Sequence, residues 1–167
     1  MTKKKEEHLY PARHYSQNVS TIDAAQYIIT LMDDDTMISE KQLHRLLFMA
    51  QTVLLRDANA PFSADPFINA NSTPRATPLA ELLAPIKPEA LSDSDTDLYF
   101  DNESYIGGII TRIGNPDRRW LEYITDHYFE NMPESRLTEI CAKSPILNRV
   151  ACDQTIDFNP TNQPTQS

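Results

Sequence analysis

The chain has 167 residues, 24 of them acidic and 15 Lys or Arg, for a formal net charge of -9. That length suits one domain with tails, and the acid excess argues against general affinity for a nucleic-acid backbone, which needs clustered cations. Twelve prolines against three glycines exclude a Rossmann fingerprint or a P-loop and leave few residues for tight hairpin turns.

No apolar run reaches the roughly 20 residues that a membrane-spanning helix needs. The opening MTKKKEEHLYP has no apolar stretch behind it and does not read as a secretory signal. Residues 1–18 are polar and of mixed charge, and read as a flexible arm. A single helical domain is expected over residues 19–150.

Its first helix is signalled by Ser20, with Asp23 three positions on as the acidic member of a capping box. Ile22, Ala25, Ile28, Ile29 and Met32 then recur at helical spacing. Asp33, Asp34 and Asp35 end the helix, because carboxylates at its C-terminal end oppose the macrodipole. No further ligands stand at calcium-loop spacing beside them.

The second helix is expected over residues 40–56. Ser39 is its cap, Gln42 completes the capping box, and Ile38 with Leu43 forms a hydrophobic staple. Leu43, Leu46, Leu47, Ala50, Val53 and Leu54 make one apolar face, which Phe48 and Met49 widen. His44 beside that face reads as a partly exposed flank residue.

Residues 57–78 hold Pro61, Pro66, Pro74 and Pro78, with Phe62, Phe67 and Ile68 between them. They read as an irregular segment pinned by apolar anchors. Thr77-Pro78 opens a short helix carrying Leu79, Leu82 and Leu83. Residues 85–103 form an acidic linker that includes Asp93, Asp95 and Asp97.

Tyr105 to Ile113 is apolar at helical spacing, with Gly114 as its stop. Asn115-Pro116 opens another helix, Asn as cap, with Trp120, Leu121, Ile124 and Tyr128 on its inner face. Pro133 opens a last helix with Leu137, Ile140 and Cys141, ended by Ser144-Pro145. Residues 151–167, rich in Pro, Asn, Gln and Thr, read as a disordered or extended tail. No segment shows convincing strand alternation. The expected fold is all-α: a compact bundle of about five or six helices around a proline-rich irregular segment. Leu46, Leu47, Trp120, Ile124 and Leu137 should share its core.

Few residues offer chemistry. Cys141 and Cys152 form no CxxC pair and have no histidine at zinc spacing, which suggests reduced thiols in a cytoplasmic protein. Asp126 and His127 are helix neighbours about 100° apart and do not orient one another. No serine sits in a G-x-S-x-G turn. Arg118-Arg119 stands in a first turn, where a cation is disfavoured, and suits either an anion or a plain charged surface. No acid/base, nucleophile or metal set converges, so neither enzymatic activity nor a cofactor is expected.

The stretch Ile38-Ser-Glu-Lys-Gln-Leu-His-Arg-Leu-Leu-Phe-Met-Ala-Gln51 resembles the opening of the Panacea domain, the SocA-like antitoxin family. There a helix of the type K-L-x-K-L-x-Y-x-A-Q follows a short first helix. Ala60-Pro61-Phe62 and Pro66-Phe67-Ile68-Asn69-Ala70 stand where that family has an apolar–proline loop. Leu121 to Tyr128, then Pro133 to Cys141, stand where it closes. The family's tryptophan, Gly-Pro and Thr-His are absent here. The similarity spans residues 20–148.

The resemblance implies a bacterial or phage protein that binds and neutralises a cognate toxin and, in some members, presents it to a protease. The acidic balance suits a basic protein partner by steering encounter. The expected contact residues are Phe62, Phe67 and Ile68 with Asp93, Asp95 and Asp97; direct nucleic-acid or membrane binding is not expected. The alternatives are a phage-borne or secreted modulator that binds a host protein, and a small enzyme of unknown class.

Overall fold

The computed structural model describes residues 19–32, 36–85 and 113–159. The triple aspartate, the acidic linker with Asp93, Asp95 and Asp97, and the expected helix from Tyr105 lie outside the described residues.

Helix α1 (Thr21–Thr30) starts at Ser20, whose Oγ accepts from the amides of Ile22 and Asp23. Its N-terminus is held a second time from a distance, since Asp65 Oδ2 accepts from Thr21 N–H at 2.7 Å and from Thr21 Oγ1 at 2.8 Å. Helix α2 (Glu40–Ala58) carries the complete Ser39/Gln42 capping box. Asn59, at φ 57°, closes it in the left-handed conformation that asparagine tolerates.

Every residue from Leu43 to Gln51 is buried. The helix is therefore wrapped on all sides, and the other elements are its coat: α1, the hairpin described next, helix α4 (Asn115–Thr125) and helix α5 (Glu134–Ala142) all pack on it.

The expectation of a purely helical fold is corrected at residues 67–76. Strands β1 (Phe67–Ala70) and β2 (Thr73–Ala76) form an antiparallel hairpin in which Phe67 faces Ala76 and Asn69 faces Pro74. Asn71 and Ser72 make a two-residue turn at φ 56° and 70°, the double left-handed geometry that matches strand twist. Asn69 Oδ1 supports the turn by accepting from Ser72 N–H at 2.8 Å.

Proline is tolerated in β2 because of register. Asn69 N–H donates to Gln154 and its carbonyl accepts from Asp153, so both point away from Pro74. The Asn69–Pro74 pair is thus a non-hydrogen-bonded one, where a missing N–H leaves no gap in the ladder.

The other elements are helix α3 (Thr77–Leu83), a π-helical turn (Asp126–Glu130) that continues α4, and helix α6 (Pro145–Asn148). The expected asparagine cap of α4 is shifted by one residue. Gly114 takes the cap position, and Asn115 is already helical.

Residues 153–156 lie along the other edge of β1, bridged at Ile68–Thr155, with Ile156 N–H donating to Phe67 O at 2.8 Å. Ile156 is buried, and the Phe158 ring stacks into a cluster with Phe48 and Phe67 at centroid distances of 6.1 and 5.4 Å. Two apolar side chains thus anchor the start of a segment that reads as polar overall.

Leu46, Leu47, Trp120, Ile124 and Leu137 belong to one buried cluster, each at most 2% exposed. Trp120 Nε1–H donates to Ala50 O at 3.0 Å, which ties α4 to α2 without an unpaired indole. Truncating Leu47 to Ala should cost on the order of 2–5 kcal/mol, the usual range for a core leucine that leaves a cavity. Denaturant unfolding measures it, and a loss below about 1 kcal/mol would show that α2 is not central.

Candidate functional site

Three polar side chains of the buried core determine how α2 meets its neighbours. Gln51 Oε1 accepts from Phe62 N–H at 2.9 Å and Ser63 N–H at 2.8 Å, while its Nε2–H donates to Ser63 O at 2.8 Å. One amide side chain thereby satisfies three backbone groups of a loop that has no ladder of its own. Asn69 does the same for the C-terminal part, donating to Val150 O at 3.0 Å.

The third is His44, 2% exposed. The reading of it as a partly exposed flank is corrected, because α2 lies across the outer edge of β2. His44 Nδ1 accepts from Ala76 N–H at 3.0 Å. Nδ1 therefore carries no proton, and Nε2–H donates to Glu40 Oε2 at 3.2 Å. Burial pulls the His44 pKa below its ordinary value, and the Glu40 carboxylate opposes this without overcoming it. The hydrogen bond from His44 in turn lowers the pKa of Glu40.

Above this pair lies an open groove of about 780 Å³ between the start of α2 and the hairpin. Ser39, Glu40, Lys41 and His44 line one wall, Asn71, Thr73 and Arg75 the other, and Glu134 of α5 stands at the rim. Its volume falls within the range of ligand pockets, and its lining mixes these polar side chains with the apolar surface of Ala70 and Pro74. Among the described residues no group of three or more His, Cys, Asp or Glu side chains could hold a metal.

No family model, curated protein or solved structure matches this chain. The groove and its side chains therefore have to be read from their own chemistry.

The expected contact residues do not gather here. Phe62 and Phe67 are 2% and 1% exposed. Their rings belong to the buried core cluster. Ile68 is half-buried and faces Arg75 across the hairpin. Asp93, Asp95 and Asp97 lie outside the described residues.

His127 is exposed and stacks parallel to Tyr123 at 5.7 Å, while Asp126 accepts from Asn131. Arg118 donates to Ile113 O and to Asn115 Oδ1, at the start of its own helix. Cys141 is buried, its thiol pKa pushed up to about 12 by burial, and Cys152 is exposed; both are free thiols. A thiol held protonated at neutral pH is a poor nucleophile.

The sequence reading missed the Glu40–His44 pair. The i,i+4 spacing of a carboxylate and an imidazole at a capped helix start was the available signal.

The acid dependence of folding follows from His44. Its folded-state pKa is depressed, so its contribution is complete above the unfolded value near 6.5 and is lost as pH falls below it. Glu40, also depressed, adds a loss of the same sign through the carboxylate range. Urea midpoints should fall between pH 7.5 and 5.5. The fall should be smaller in His44→Asn, which keeps an acceptor near Nδ1 and has nothing to titrate. Equal slopes in the two proteins would remove His44 from the account. Gln51→Leu, which strands three buried backbone groups, should cost roughly 2–5 kcal/mol in the same assay.

Proposed function

We propose that this chain is a non-enzymatic, cytoplasmic protein-binding domain that acts by occupancy, as its resemblance to the Panacea antitoxins implies, with a toxin as its partner. The observation that supports this most is the state of His44. It is the buried imidazole of the groove, and both ring nitrogens are committed, one to a backbone amide and one to Glu40. A general base needs a free lone pair within reach of a substrate proton, and here that lone pair is spent on the fold.

What the groove offers instead is a surface of mixed polarity on two elements, a helix with a full cap and a hairpin with a defined turn. Recognition by a preorganised surface loses little ordering entropy on binding. In the described residues no helix is long and apolar enough to cross a membrane.

Co-expression with the product of the neighbouring gene tests the reading. The neighbour should arrest growth alone, growth should return with this chain present, and the two should co-purify at a fixed ratio. Rescue should track the molar ratio, so that substoichiometric amounts leave part of the toxicity. A harmless neighbour, or no complex at micromolar concentration, would require another partner class.

A further inference from the structure

The two outer edges of the hairpin are closed unequally. On β2, the Ala76 N–H is taken by His44, a buried side chain of the wrapped helix. On β1, the closing group is a strip of backbone. Asn69 N–H donates to Gln154 O at 3.0 Å and Ile156 N–H to Phe67 O at 2.8 Å, on either side of the Ile68–Thr155 bridge. That is the pattern of an added antiparallel strand, one of the recurring ways in which an extended peptide is recognised.

The strip is held by little else. Residues 151–155 are all exposed, and Ile156 is the one buried residue between Ala151 and Asn159. Phe158 is half-buried and sets its ring at 75° to that of Phe67, 5.4 Å away. Ahead of the strip, Gln154 N–H to Ala151 O at 3.1 Å closes a turn whose third residue, Asp153, stands at φ 67°. Such a position favours glycine, so the aspartate is held there at a cost. Few buried contacts, exposed backbone hydrogen bonds and a strained pivot are the properties of a segment that opens by itself.

Opening would uncover a site that is already built. β1 keeps its pairing with β2, and His44 still holds β2 to α2. What comes free is one strand edge, the place of Ile156 in the core cluster, and the side of Phe67 against which Phe158 rests. The strip itself records what fits there: extended backbone with a branched aliphatic residue and an aromatic two positions later.

We propose that the edge of β1 is a docking site for an extended segment of the partner, with an aliphatic residue and an aromatic two positions on, and that residues 153–158 are a latch which this segment replaces. This rests on the protein-binding reading and names the manner of binding. It gives Phe67 and Ile68 a contact role once the latch is open. A second copy of the chain carries a fitting strip too. The resident strip, joined by a short turn, competes at an effective concentration of roughly millimolar order, so exchange between copies at micromolar concentration is negligible. The latch thus sets a threshold, because the apparent affinity of any occupant is reduced by the open fraction.

Hydrogen exchange on the full chain reads the latch directly. The amides of Asn69 and Ile156 should be protected at least roughly tenfold less than that of Ala76. Equal protection would mean that the strip opens only with the whole fold, and the proposal falls.

Binding is read by NMR titration with a peptide of residues 153–159 and with its Ile156→Asn, Phe158→Ala form. The chain carries Ile68→Cys and Thr155→Cys, facing positions of a non-hydrogen-bonded pair, and Cys152→Ser, which removes the exposed thiol. Reduced, it should bind the parent peptide with a dissociation constant of roughly millimolar order and shift the amides of residues 67–70. Oxidised, with the latch tied down, it should bind at least roughly tenfold more weakly. The substituted peptide should bind neither form.

The proposal falls if both redox states bind alike or if the substituted peptide binds as well as the parent peptide. It falls equally if sedimentation of the unmodified chain shows dimers at micromolar concentration that Ile156→Asn abolishes, which would make a second copy the occupant. Capture of the co-expressed partner equally by the oxidised and reduced forms would overturn this inference and leave the protein-binding reading standing. Absence of any partner would remove the latter instead.

Discussion

A helix buried on every side has to find partners for its own polar side chains, and α2 finds them in the backbones of its neighbours. His44 and Gln51 stand on the wrapped stretch of α2, seven residues apart, which is two turns. One takes the edge amide of β2, the other takes the loop that leads into β1. The hairpin is therefore hung from α2 at both ends by buried hydrogen bonds whose loss would leave backbone groups stranded away from water. Apolar packing gives the core its volume, but these two residues determine which segment may lie against the helix and in which register.

The same accounting explains why the legible part of the sequence was the helical part. Capping boxes, prolines at first turns and leucines at helical spacing are local signals, and α1, α2, α3 and α5 begin within a residue of where those signals stand. The hairpin had no local signal of that kind. Its inward positions include Asn69 and Pro74, one polar and one without an N–H, so the alternation of apolar and polar residues was hidden. Its turn is Asn-Ser rather than a glycine pair. What makes these residues a strand is supplied from elsewhere, by His44 on one edge and by residues 153–156 on the other.

The candidate site was less legible than the fold for a related reason. The aromatic residues of the proline-rich segment were expected both to pin it and to meet a partner, because long irregular loops that are ordered often carry function. Phe62 and Phe67 instead point inward, since the clamp by Gln51 draws that loop against α2. The groove itself was hidden because its two walls, the start of α2 and the hairpin, are brought together by a contact between residues 32 apart in sequence, His44 Nδ1 with Ala76 N–H, that no local pattern announces.

Both edges of the small sheet are closed, and by very different routes. On the outer edge of β2, Pro74 offers no N–H and the Ala76 N–H is taken by His44. On the edge of β1, the closing partner is residues 153–156, about half the chain length further on. A sheet edge left open is a template for other chains. During synthesis the first edge is covered as soon as α2 and the hairpin meet, because their contacts are close in sequence. The second must wait for a contact of high sequence separation, which forms late and slowly. The growing chain therefore passes through a stage in which β1 is paired with β2 but open along its other side. The segment that ends this exposure, residues 153–156, thus serves as a seal against self-association.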